Sequence, residues 1–509
     1  MQRSHAPPPL AAATFPTMLA ALDARASQTP EACAVDDVTY AALRMASRRV
    51  AARLRERGFA PGDRIVLYAE NSLAFVYAYL GSLRAGVVVV PANVLYREVD
   101  LARIADDSGA TAMFVSAQSR PFATAAFRGT FVDLAEVARW ATDDGIACAP
   151  SDAHEPAPND LALLIYTSGT TGRAKGAMLT HGNLAAIATQ VTTAWAWTAA
   201  DTLLVALPLF HIHGLGAGLN GTIVAGGRVL VRERFDAADV ADTLARGAVT
   251  MFFGVPTMYV RLLDVANAGP FPAVRLFVSG SAALPASVHD AFAARFGASI
   301  LERYGSTEFG FGLTNRFDGA RYAGTVGFPF PSVRARLVDA AQRDVAPGAV
   351  GEILISGPNV CAGYWHNPEA TDAAFFFDDD ATRWYRSGDL ATFDPERGYA
   401  IVGRTKELII SGGFNIYPRE IEDELLRIPG IRAAAVVGRS DAARGELPIA
   451  FVEADAGLDT EAVLASLRTR LASFKVPKAI DIVGELPRNA MGKIDKPQLR
   501  ARFADFVQR

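Results

Sequence analysis

Short apolar runs rich in β-branched residues alternate with longer stretches rich in Ala, Leu and Arg along most of this chain. Runs at residues 64–68, 87–91, 161–169 and 251–256 have the length and composition of buried strands. The stretches between them, such as residues 40–57, have the composition of helices. Strands that are apolar throughout need cover on both faces, so this alternation predicts an α/β fold built on parallel sheet.

Two domains are expected from the length and from a change of pattern toward the C-terminus. The chain has 509 residues, more than a single hydrophobic core usually supports. From residue 351 onward the strand-like runs shorten and turns become frequent, and from about residue 406 strands, a Gly-rich loop and helices alternate. We predict a large N-terminal domain at residues 1–404, with α/β subdomains and a β-rich subdomain, and a small, mobile α+β C-terminal domain at residues 405–509.

Composition excludes several classes of protein. Lys and Arg total 50 against 54 acidic residues, a balance that argues against a nucleic-acid binder. The cysteines Cys33, Cys148 and Cys361 lie far apart without metal-ligand spacing, which favours a reducing compartment. No run approaches the roughly 20 uninterrupted apolar residues of a membrane span, and the N-terminus lacks the pattern of a signal peptide. A cytoplasmic protein is therefore predicted.

A loop rich in glycine and hydroxyl groups follows the third of these apolar runs. Residues 166–175 have the sequence YTSGTTGRAK, in which glycines let the backbone approach a ligand closely. Backbone N–H groups, hydroxyls and a lysine ammonium can all donate to phosphate oxygens, although the spacing is not that of a Walker A loop. The predicted phosphate-binding residues are Thr167, Ser168, Gly169, Thr170, Thr171, Gly172 and Lys175.

This loop, with the GAMLTHGNL that continues it, resembles the phosphate loop of the adenylate-forming superfamily, which includes acyl-CoA synthetases, adenylation domains of peptide synthetases and luciferases. Further motifs occur in the family's order: SGSAAL (279–284), ERYGSTE (302–308), YRSGDLA (385–391), GRTKELIISGGFNIYPREIE (403–422) and PRNAMGKIDK (487–496). The resemblance implies an AMP-forming ligase that uses ATP and Mg²⁺ to activate a carboxylic acid as its acyl-adenylate. The acyl group would then pass to a thiol, that of coenzyme A.

The resemblance also implies roles for individual residues. Glu308 is similar to the family's Mg²⁺-binding glutamate, and Thr307 to its α-phosphate contact. Asp389 resembles the carboxylate that accepts the ribose hydroxyls, and Arg404 the arginine that reaches the nucleotide. Lys493 resembles the lysine that bridges the acyl carboxylate and the phosphate. The segments that would enclose adenine are Gly280, Ser281 and Ala282, and Glu302, Arg303 and Tyr304.

For the transfer to the thiol, the family rotates its small domain about a hinge, which corresponds here to Lys406. Gly412, Gly413 and Phe414 correspond to the loop that covers the pantetheine arm of coenzyme A in the second orientation.

The acid is suggested by a narrower likeness. HIHGL (211–215), VPTMYVRLL (255–263) and VSGSAALP (278–285) resemble malonyl-CoA synthetases, including those that accept methylmalonate. The expected acyl-substrate residues are His211, Arg261, Ser281 and Ser306. Arg261 would pair with a second carboxylate, or else lie on a helix surface beside Asp264, and the histidines would otherwise be core residues. Ser306 stands where many relatives have Met, and residues 309–312 also depart from the malonate enzymes.

Alternatives to a malonate or methylmalonate ligase remain open at this point. They are a ligase for another small carboxylate such as oxalate, one that loads the phosphopantetheine of an acyl carrier protein, and an inactive nucleotide-binding protein. The complete set of Lys175, Glu308, Asp389 and Lys493 argues against the last. Residues 216–221 satisfy G-x-G-x-x-G but lack the context of a dinucleotide site, which favours close packing of small residues instead.

Overall fold

The computed structural model describes residues 15–146, 148, 155–167, 174–412, 414–441, 444–488 and 493–504. Within these ranges the strands form four sheets, of which three belong to a large N-terminal domain and one to a smaller C-terminal domain. The predicted mixed α/β fold with a large and a small domain is confirmed. The boundary between residues 404 and 405 stays a prediction. None of the described helices is both long and apolar enough to cross a membrane.

The described helices are α1 (Met18–Gln28), α2 (Tyr40–Glu56), α3 (Leu73–Ala85), α4 (Glu98–Ser108), α5 (Arg120–Ala126), α6 (Leu134–Thr142), α7 (His181–Ala194), α8 (Gly221–Ala225), α9 (Ala237–Ala245), α10 (Pro256–Leu263), α11 (Ala286–Phe296), α12 (Pro368–Ala374), α13 (Pro418–Leu425), α14 (Thr460–Arg470) and α15 (Lys496–Ala504). A π-helix spans His213–Asn220 and a 3₁₀ turn spans Thr405–Glu407.

The described strands are β1 (Cys33–Val35), β2 (Val38–Thr39), β3 (Arg64–Tyr68), β4 (Val88–Pro91), β5 (Ala112–Val115), β6 (Thr130–Asp133), β7 (Leu161–Thr167), β8 (Lys175–Thr180), β9 (Thr202–Val205), β10 (Arg228–Val231), β11 (Met251–Gly254), β12 (Leu276–Ser279), β13 (Ile300–Tyr304), β14 (Leu313–Thr314), β15 (Phe328–Pro329), β16 (Arg334–Val338), β17 (Gly351–Ser356), β18 (Phe375–Phe377), β19 (Arg383–Asp394), β20 (Gly398–Arg404), β21 (Ile409–Ser411), β22 (Phe414–Ile416), β23 (Ile431–Asp441), β24 (Gly445–Ala454) and β25 (Ile480–Ile482).

The first sheet has the strand order β6-β5-β3-β4-β7-β8. Its strands run parallel except for β7 and β8, which pair antiparallel with Thr167 opposite Lys175. Strand β4 is buried along its whole length, as the apolar run predicted. Because β7 ends and β8 begins at the predicted phosphate loop, the sheet holds both ends of that loop in register.

Helix α7 follows β8 through a reciprocal cap that uses two side chains. The Thr180 hydroxyl accepts a hydrogen bond from the Asn183 N–H, and the Asn183 side chain accepts one from the Thr180 N–H. The Asn183 amide also donates to the carbonyls of Pro358 and Val360, over 2.8 and 3.1 Å. The end of β8 is thereby joined to the segment between β17 and β18 of the β-rich subdomain.

The second sheet supplies most of the predicted site. Its order is β15-β14-β13-β12-β11-β9-β10-β1-β2, and the run from β13 to β1 is parallel. Carboxyl ends of parallel strands meet at one edge of a sheet, where α/β proteins place their ligands. His211 and His213 follow β9, Gly280 follows β12, and Tyr304 is the last residue of β13. Three chain segments that are distant in sequence therefore converge at this edge.

The small residues of the G-x-G-x-x-G segment pack in the core. The π-helix that contains them is buried at every position. A Cβ at Gly216 would lie 2.8 Å from the Ile212 side chain, and one at Gly221 would lie 2.9 Å from the Trp197 ring. The prediction of close packing rather than a dinucleotide site is confirmed.

The β-rich subdomain is an antiparallel sheet of order β16-β17-β19-β18, with β20 paired to β19. In that pairing Asp389 stands opposite Arg404. The C-terminal domain has the order β22-β21-β24-β23, with β25 on β24 and with α13 and α14 packed over a separate apolar core. The predictions of a β-rich subdomain and of an α+β C-terminal domain are both confirmed.

Candidate active site

Asp389 is held by donors from two different sheets. The Tyr304 hydroxyl donates to Oδ2 of Asp389 over 2.6 Å, and Nε of Arg404 lies 2.9 Å from Oδ1. Asp389 is only 5% exposed, although Arg404 is exposed. Burial and then the nearby Asp389 carboxylate raise the pKa of Tyr304 well above its ordinary value, and the same carboxylate raises the pKa of Arg404. The tyrosine therefore stays protonated and the carboxylate stays oriented.

Glu308 is a second buried carboxylate with a fixed orientation. The Ser306 hydroxyl donates to Oε2 of Glu308 over 2.8 Å, and the Tyr364 hydroxyl donates to Oε1 over 3.0 Å. The described residues contain no group of three or more side chains suited to hold a metal ion. A single oriented carboxylate fits Mg²⁺, which takes one or two carboxylates together with phosphate oxygens rather than a cage of protein ligands. Glu308 is thus the residue that would hold the ion, and Thr307 lies half-buried beside it.

The ends of the predicted phosphate loop are held together by strand pairing, with Thr167 opposite Lys175. Ser168, Gly169, Thr170, Thr171 and Gly172 lie outside the described residues, so their predicted roles stay predictions. Lys175 begins β8, and its ammonium lies 5.1 Å from the centroid of the Tyr364 ring. Tyr364 therefore contacts both the lysine of the loop and the Glu308 carboxylate.

Ser281, His213 and Arg303 form a polar cluster beneath the β12 edge. Ser281 has a positive φ of 69°, which a non-glycine residue rarely adopts. In that conformation its Oγ lies 3.3 Å from Nδ1 of His213 and 3.4 Å from Nη2 of Arg303. A Cβ at Gly280 would lie 2.4 Å from the Arg303 side chain, so glycine is needed for the guanidinium to pass. The backbone is shaped to bring Arg303 to Ser281.

Arg303 is a buried cation without a protein counter-ion. It is 4% exposed, and within the part of the chain that the structure describes its Nε has no hydrogen-bond partner and no carboxylate pairs with it. The face of the guanidinium lies 4.4 Å from the centroid of the Phe311 ring. Burial lowers the pKa of Arg303 to about 9. A buried charge is costly unless something pairs with it, so the pocket suits an anionic group that arrives from outside the protein.

The two histidines beside this cluster are neutral. Burial, followed by the charges of Lys493 and Arg303, lowers the pKa of His211 to about 3. Burial also holds the pKa of His213 well below its usual range, and its ring stacks on Phe253. Neutral rings can accept or donate one hydrogen bond each without adding charge. The positive charge of the pocket therefore comes from its arginine and lysine.

Lys493 comes to this site from the C-terminal domain. The pKa of its ammonium is lowered, first by removal from water and then by the Arg404 cation, although the residue as a whole remains exposed. The carboxylates of Asp389 and Glu308 oppose that shift. Its charge is thus within electrostatic reach of the two carboxylates expected at the nucleotide, and the predicted residues of both domains lie together.

Glu302 does not lie open to the cleft. Its carboxyl is buried, and Oε1 accepts a hydrogen bond from the Leu284 N–H over 3.0 Å. Burial raises the pKa of Glu302 to about 7. Glu302 thereby holds the segment that contains Ser281 and the exposed Ala282.

The structure corrects the expectation for Arg261. The residue is exposed in the last turn of α10, and its guanidinium lies 5.0 Å from the centroid of the Phe235 ring. The buried face of α10 instead carries Pro256, Tyr259 and Leu262. An exposed side chain on the opposite face does not line a buried acyl pocket. We therefore do not assign Arg261 to the acid.

The predicted hinge and thiol-binding residues lie on the C-terminal side of β20. Lys406 is exposed in the 3₁₀ turn, and Gly412 has a φ of 58° at the tip of the β21–β22 hairpin. Phe414 is 54% exposed and stacks on Phe474, with ring centroids 4.5 Å apart. Gly413 lies outside the described residues. No ligand contact tests these roles, so they stay predictions.

Tyr364 is the site residue that sequence reasoning missed. It lies in the segment GPNVCAGYWHNP, which turn residues mark as a loop, and it is 56 positions away from Glu308. The sequence signal that could have identified Tyr364 is its position in a Gly-rich loop that directly follows a strand.

The fold and the site together define an enzyme that joins a carboxylate to a nucleotide phosphate, because they combine oriented carboxylates, a phosphate-loop lysine and a second lysine from a separate domain. The family model for the AMP-binding enzyme matches residues 22–365, and that for the AMP-binding enzyme C-terminal domain matches residues 420–493. The chain belongs to the AMP-binding enzyme family. It is an AMP-forming acid–CoA ligase whose cofactors are ATP and magnesium, with coenzyme A as cosubstrate.

Relatives with similar sequence identity to this chain are named for different acids. A feruloyl-CoA synthase from Amycolatopsis sp is 37% identical over 94% of this chain and 97% of its own. A sulfoacetate–CoA ligase from Cupriavidus necator is 34% identical over 95% of this chain and 97% of its own. The crystal structure of ATP-bound MatB from Rhodopseudomonas palustris superposes with a TM-score of 0.89 at 36% identity, covering 96% of this chain and 99% of that one.

Proposed function

We propose that this ligase activates a small dicarboxylic acid, malonate or methylmalonate, as its acyl-adenylate and transfers it to coenzyme A. The observation that carries the proposal is the buried guanidinium of Arg303 beside Ser281 and His213, which pairs with no carboxylate among the residues that the structure describes. One carboxylate of the acid would meet Lys493 and the reacting phosphate. The second would pair with Arg303, a planar donor that matches a carboxylate in two parallel hydrogen bonds.

In this proposal the chain's own residues divide the chemistry between them. Asp389 would orient the ribose, and Glu308 would hold the Mg²⁺ ion, which would neutralise phosphate charge. Lys493 bridges the attacking carboxylate and the phosphate, so that two anions can approach each other. Arg404 pairs with Asp389, and in this proposal it would lie beside the nucleotide that Asp389 orients. The Lys493 ammonium and the ion at Glu308 would stabilise charge where the pentacovalent phosphorus forms, whereas Asp389 and Arg404 would position the nucleotide. None of these roles requires a covalent enzyme intermediate.

The names of the similar proteins support a substrate with a second anionic group, but they do not identify the acid. MatB is a malonyl-CoA synthetase, and sulfoacetate also carries a second anion, in the form of a sulfonate. The feruloyl-CoA synthase acts on a larger acid whose other end is uncharged. Arg303 favours the first two kinds of substrate, since an uncharged acid would leave its guanidinium buried without a partner.

A substrate panel tests the proposal directly. Pyrophosphate release would be measured with malonate, methylmalonate, sulfoacetate, oxalate, propionate, ferulate and octanoate, each with ATP, Mg²⁺ and coenzyme A. We expect kcat/KM for malonate or methylmalonate to exceed that for propionate, the size-matched monoanion, by about 100-fold, the range for a buried charge pair. A clear preference for ferulate or octanoate would refute the dicarboxylate assignment.

A matched pair of variants tests which arginine recognises the second anion. Arg303→Met keeps a long apolar side chain against Phe311 but removes the charge, so we expect the preference for malonate over propionate to fall by about 100-fold. Arg261→Met removes the exposed arginine and should leave that ratio unchanged. If Arg303→Met lost kcat/KM equally with malonate and with propionate, the assignment would be contradicted. Loss of the preference for malonate in Arg261→Met would contradict it as well.

Coenzyme A rather than a carrier protein is the proposed acceptor. A carrier protein presents an acidic surface to its ligase, and Lys475, a basic residue of the C-terminal domain, already binds both carboxylate oxygens of Glu420, over 2.7 and 2.8 Å. Thioester formation with coenzyme A and with a holo-carrier protein at equal concentration would decide between them.

A further inference from the structure

Lys496 is the first residue of α15 and the third residue after Lys493. Its ammonium lies 2.8 Å from Oε2 of Glu407 and 2.9 Å from Oε1 of Glu422. The side chains of Lys496 and Glu422 are each 15% exposed. One cation that meets two carboxylates in a largely buried position differs from the solvated surface pairs that contribute little to stability. The ammonium remains charged there, since the two carboxylates raise the pKa of Lys496 despite its burial.

The two carboxylates belong to different parts of the molecule. Glu407 ends the 3₁₀ turn that follows β20, immediately after the predicted hinge residue Lys406. Glu422 lies in α13, where its Oε1 also accepts a hydrogen bond from the Val436 N–H over 2.7 Å. Glu422 is therefore fixed to the C-terminal sheet. Lys496 joins this fixed point to the segment through which the chain leaves the N-terminal domain.

The segment that carries Lys493 is closed at its base beside Lys496. The Asp495 N–H donates to the Pro487 carbonyl over 2.7 Å, and Ile494 forms an antiparallel bridge with Arg488. A chain held in this way two residues after Lys493 has little freedom to move independently of its support. The position of Lys493 is consequently tied to whatever fixes Lys496.

We propose that Lys496 is a positioning residue for the adenylation step. Through its ion pair with Glu407 it fixes the loop that carries Lys493 relative to the segment around Lys406. Lys493 then reaches the reacting phosphate only while that segment keeps the orientation seen here. The inference rests on the proposed role of Lys493 and adds a residue that acts through it.

Charge balance determines which variant tests the coupling most cleanly. Replacing Glu407 with Ala leaves one cation facing one carboxylate, so the remaining pair of Lys496 and Glu422 is neutral and no carboxylate is left without a counter-ion. Replacing Lys496 with Met leaves two carboxylates facing each other, which adds repulsion and lowers stability. Lys496→Arg keeps the charge and the length of the side chain. Glu407→Ala is thus the primary variant, and Lys496→Arg should restore what Lys496→Met loses.

The two half-reactions separate positioning from a general loss of structure. Adenylation would be measured by exchange between pyrophosphate and ATP with malonate, and transfer by thioester formation from supplied malonyl-adenylate and coenzyme A. We expect Glu407→Ala to slow adenylation about tenfold while transfer stays within about twofold, since only the first step needs Lys493. The double variant Glu407→Ala with Lys496→Met should show an adenylation rate close to that of Lys496→Met alone, because both changes remove the same contact.

Glu424→Ala is the matched control, since it removes another carboxylate of α13 that pairs with Arg427 and Arg470 rather than with Lys496. It should leave the ratio of the two rates unchanged. A parallel fall of both half-reactions in Glu407→Ala, or the same split in Glu424→Ala, would overturn the proposed coupling. Lys493→Ala is measured alongside: if it retains exchange, the role of Lys493 fails instead. If malonate supports no exchange, the acid assignment fails, and the coupling is measured with the fastest acid of the panel.

A second measurement needs no substrate. If the ion pair holds the segment around Lys406, trypsin should cleave after Lys406 several-fold faster in Lys496→Met than in the unmodified protein. Lys496→Arg should show the slow rate. Equal cleavage rates in all three proteins would also overturn the proposal.

Discussion

The hydroxyl of Tyr364 donates a hydrogen bond to Oε1 of Glu308 over 3.0 Å, and the same ring lies 5.1 Å from the ammonium of Lys175. One side chain thus contacts the carboxylate that would hold magnesium and the lysine that follows the phosphate loop. Since the two lie on different segments, the tyrosine sets the distance between them. Neither contact could be read from the spacing of the motifs.

Tyr364→Phe should raise the Mg²⁺ concentration needed for half-maximal adenylation by about 10- to 150-fold, because a hydrogen bond to a charged group is worth roughly 1.5–3 kcal/mol. The ring beneath Lys175 is retained, so the loss would be specific to Glu308. Titration of Mg²⁺ in the exchange assay, together with calorimetry of ATP binding at several Mg²⁺ concentrations, measures the effect. Tyr399→Phe, which removes a hydroxyl that donates to the Ala335 carbonyl, is the control. A normal Mg²⁺ requirement in Tyr364→Phe would show that Ser306 alone orients Glu308.

Lys493→Ala should slow adenylation by about 100- to 1,000-fold, the typical cost of losing one preorganised contact to transition-state charge. Transfer from supplied acyl-adenylate should stay within about threefold, because no new bond to phosphorus forms in that step. Lys478→Ala, which removes an exposed lysine of the same domain, should change neither rate. Equal loss of both half-reactions in Lys493→Ala would contradict the assigned role.

The alternation of apolar runs was sufficient to predict the parallel sheets, the β-rich subdomain and the α+β C-terminal domain, because burial on both faces dictates composition locally. The start of the phosphate loop could be placed for the same reason, since Thr167 ends β7, which the apolar run predicted. Strand β8, which begins at Lys175, was not predicted. The features that were predicted depend on residues that are close together in the sequence, which is why they could be recognised there.

The acyl pocket could not be predicted in the same way. Arg303 is buried beside Ser281 because β12 and β13 are neighbours and because Gly280 leaves room for the guanidinium. Both conditions depend on the tertiary fold. Arg261 was expected there instead, although the apolar residues Tyr259 and Leu262 already point to the opposite face of its helix. Helical periodicity could have excluded Arg261, whereas no local pattern could have located the contacts of Arg303.

Lys406→Pro should slow transfer to coenzyme A at least tenfold more than adenylation. Proline fixes φ and removes an N–H, so a turn that must change its backbone angles between two orientations would lose one of them. Lys406→Ala removes the side chain and keeps the backbone free, so the ratio of the two rates should stay near that of the unmodified protein. Single-turnover measurements of each half-reaction provide the ratio. Equal slowing of the two steps in Lys406→Pro would place the hinge elsewhere.

Glu302 makes stability depend on pH in a direction opposite to that of ordinary paired carboxylates. Its pKa is raised from 4.5 to about 7 by burial, so the folded protein binds a proton that the unfolded chain releases between those values. The stabilisation is complete below pH 4.5 and is lost as the pH rises to about 7, by roughly 3 kcal/mol at 1.36 kcal/mol per pH unit. Glu302→Gln keeps an acceptor for the Leu284 N–H but cannot ionise. The midpoint of thermal unfolding of the unmodified protein, relative to that of Glu302→Gln, should therefore fall between pH 5 and pH 7.5. A constant difference between the two proteins across this range would mean that Glu302 is ionised in the folded state throughout.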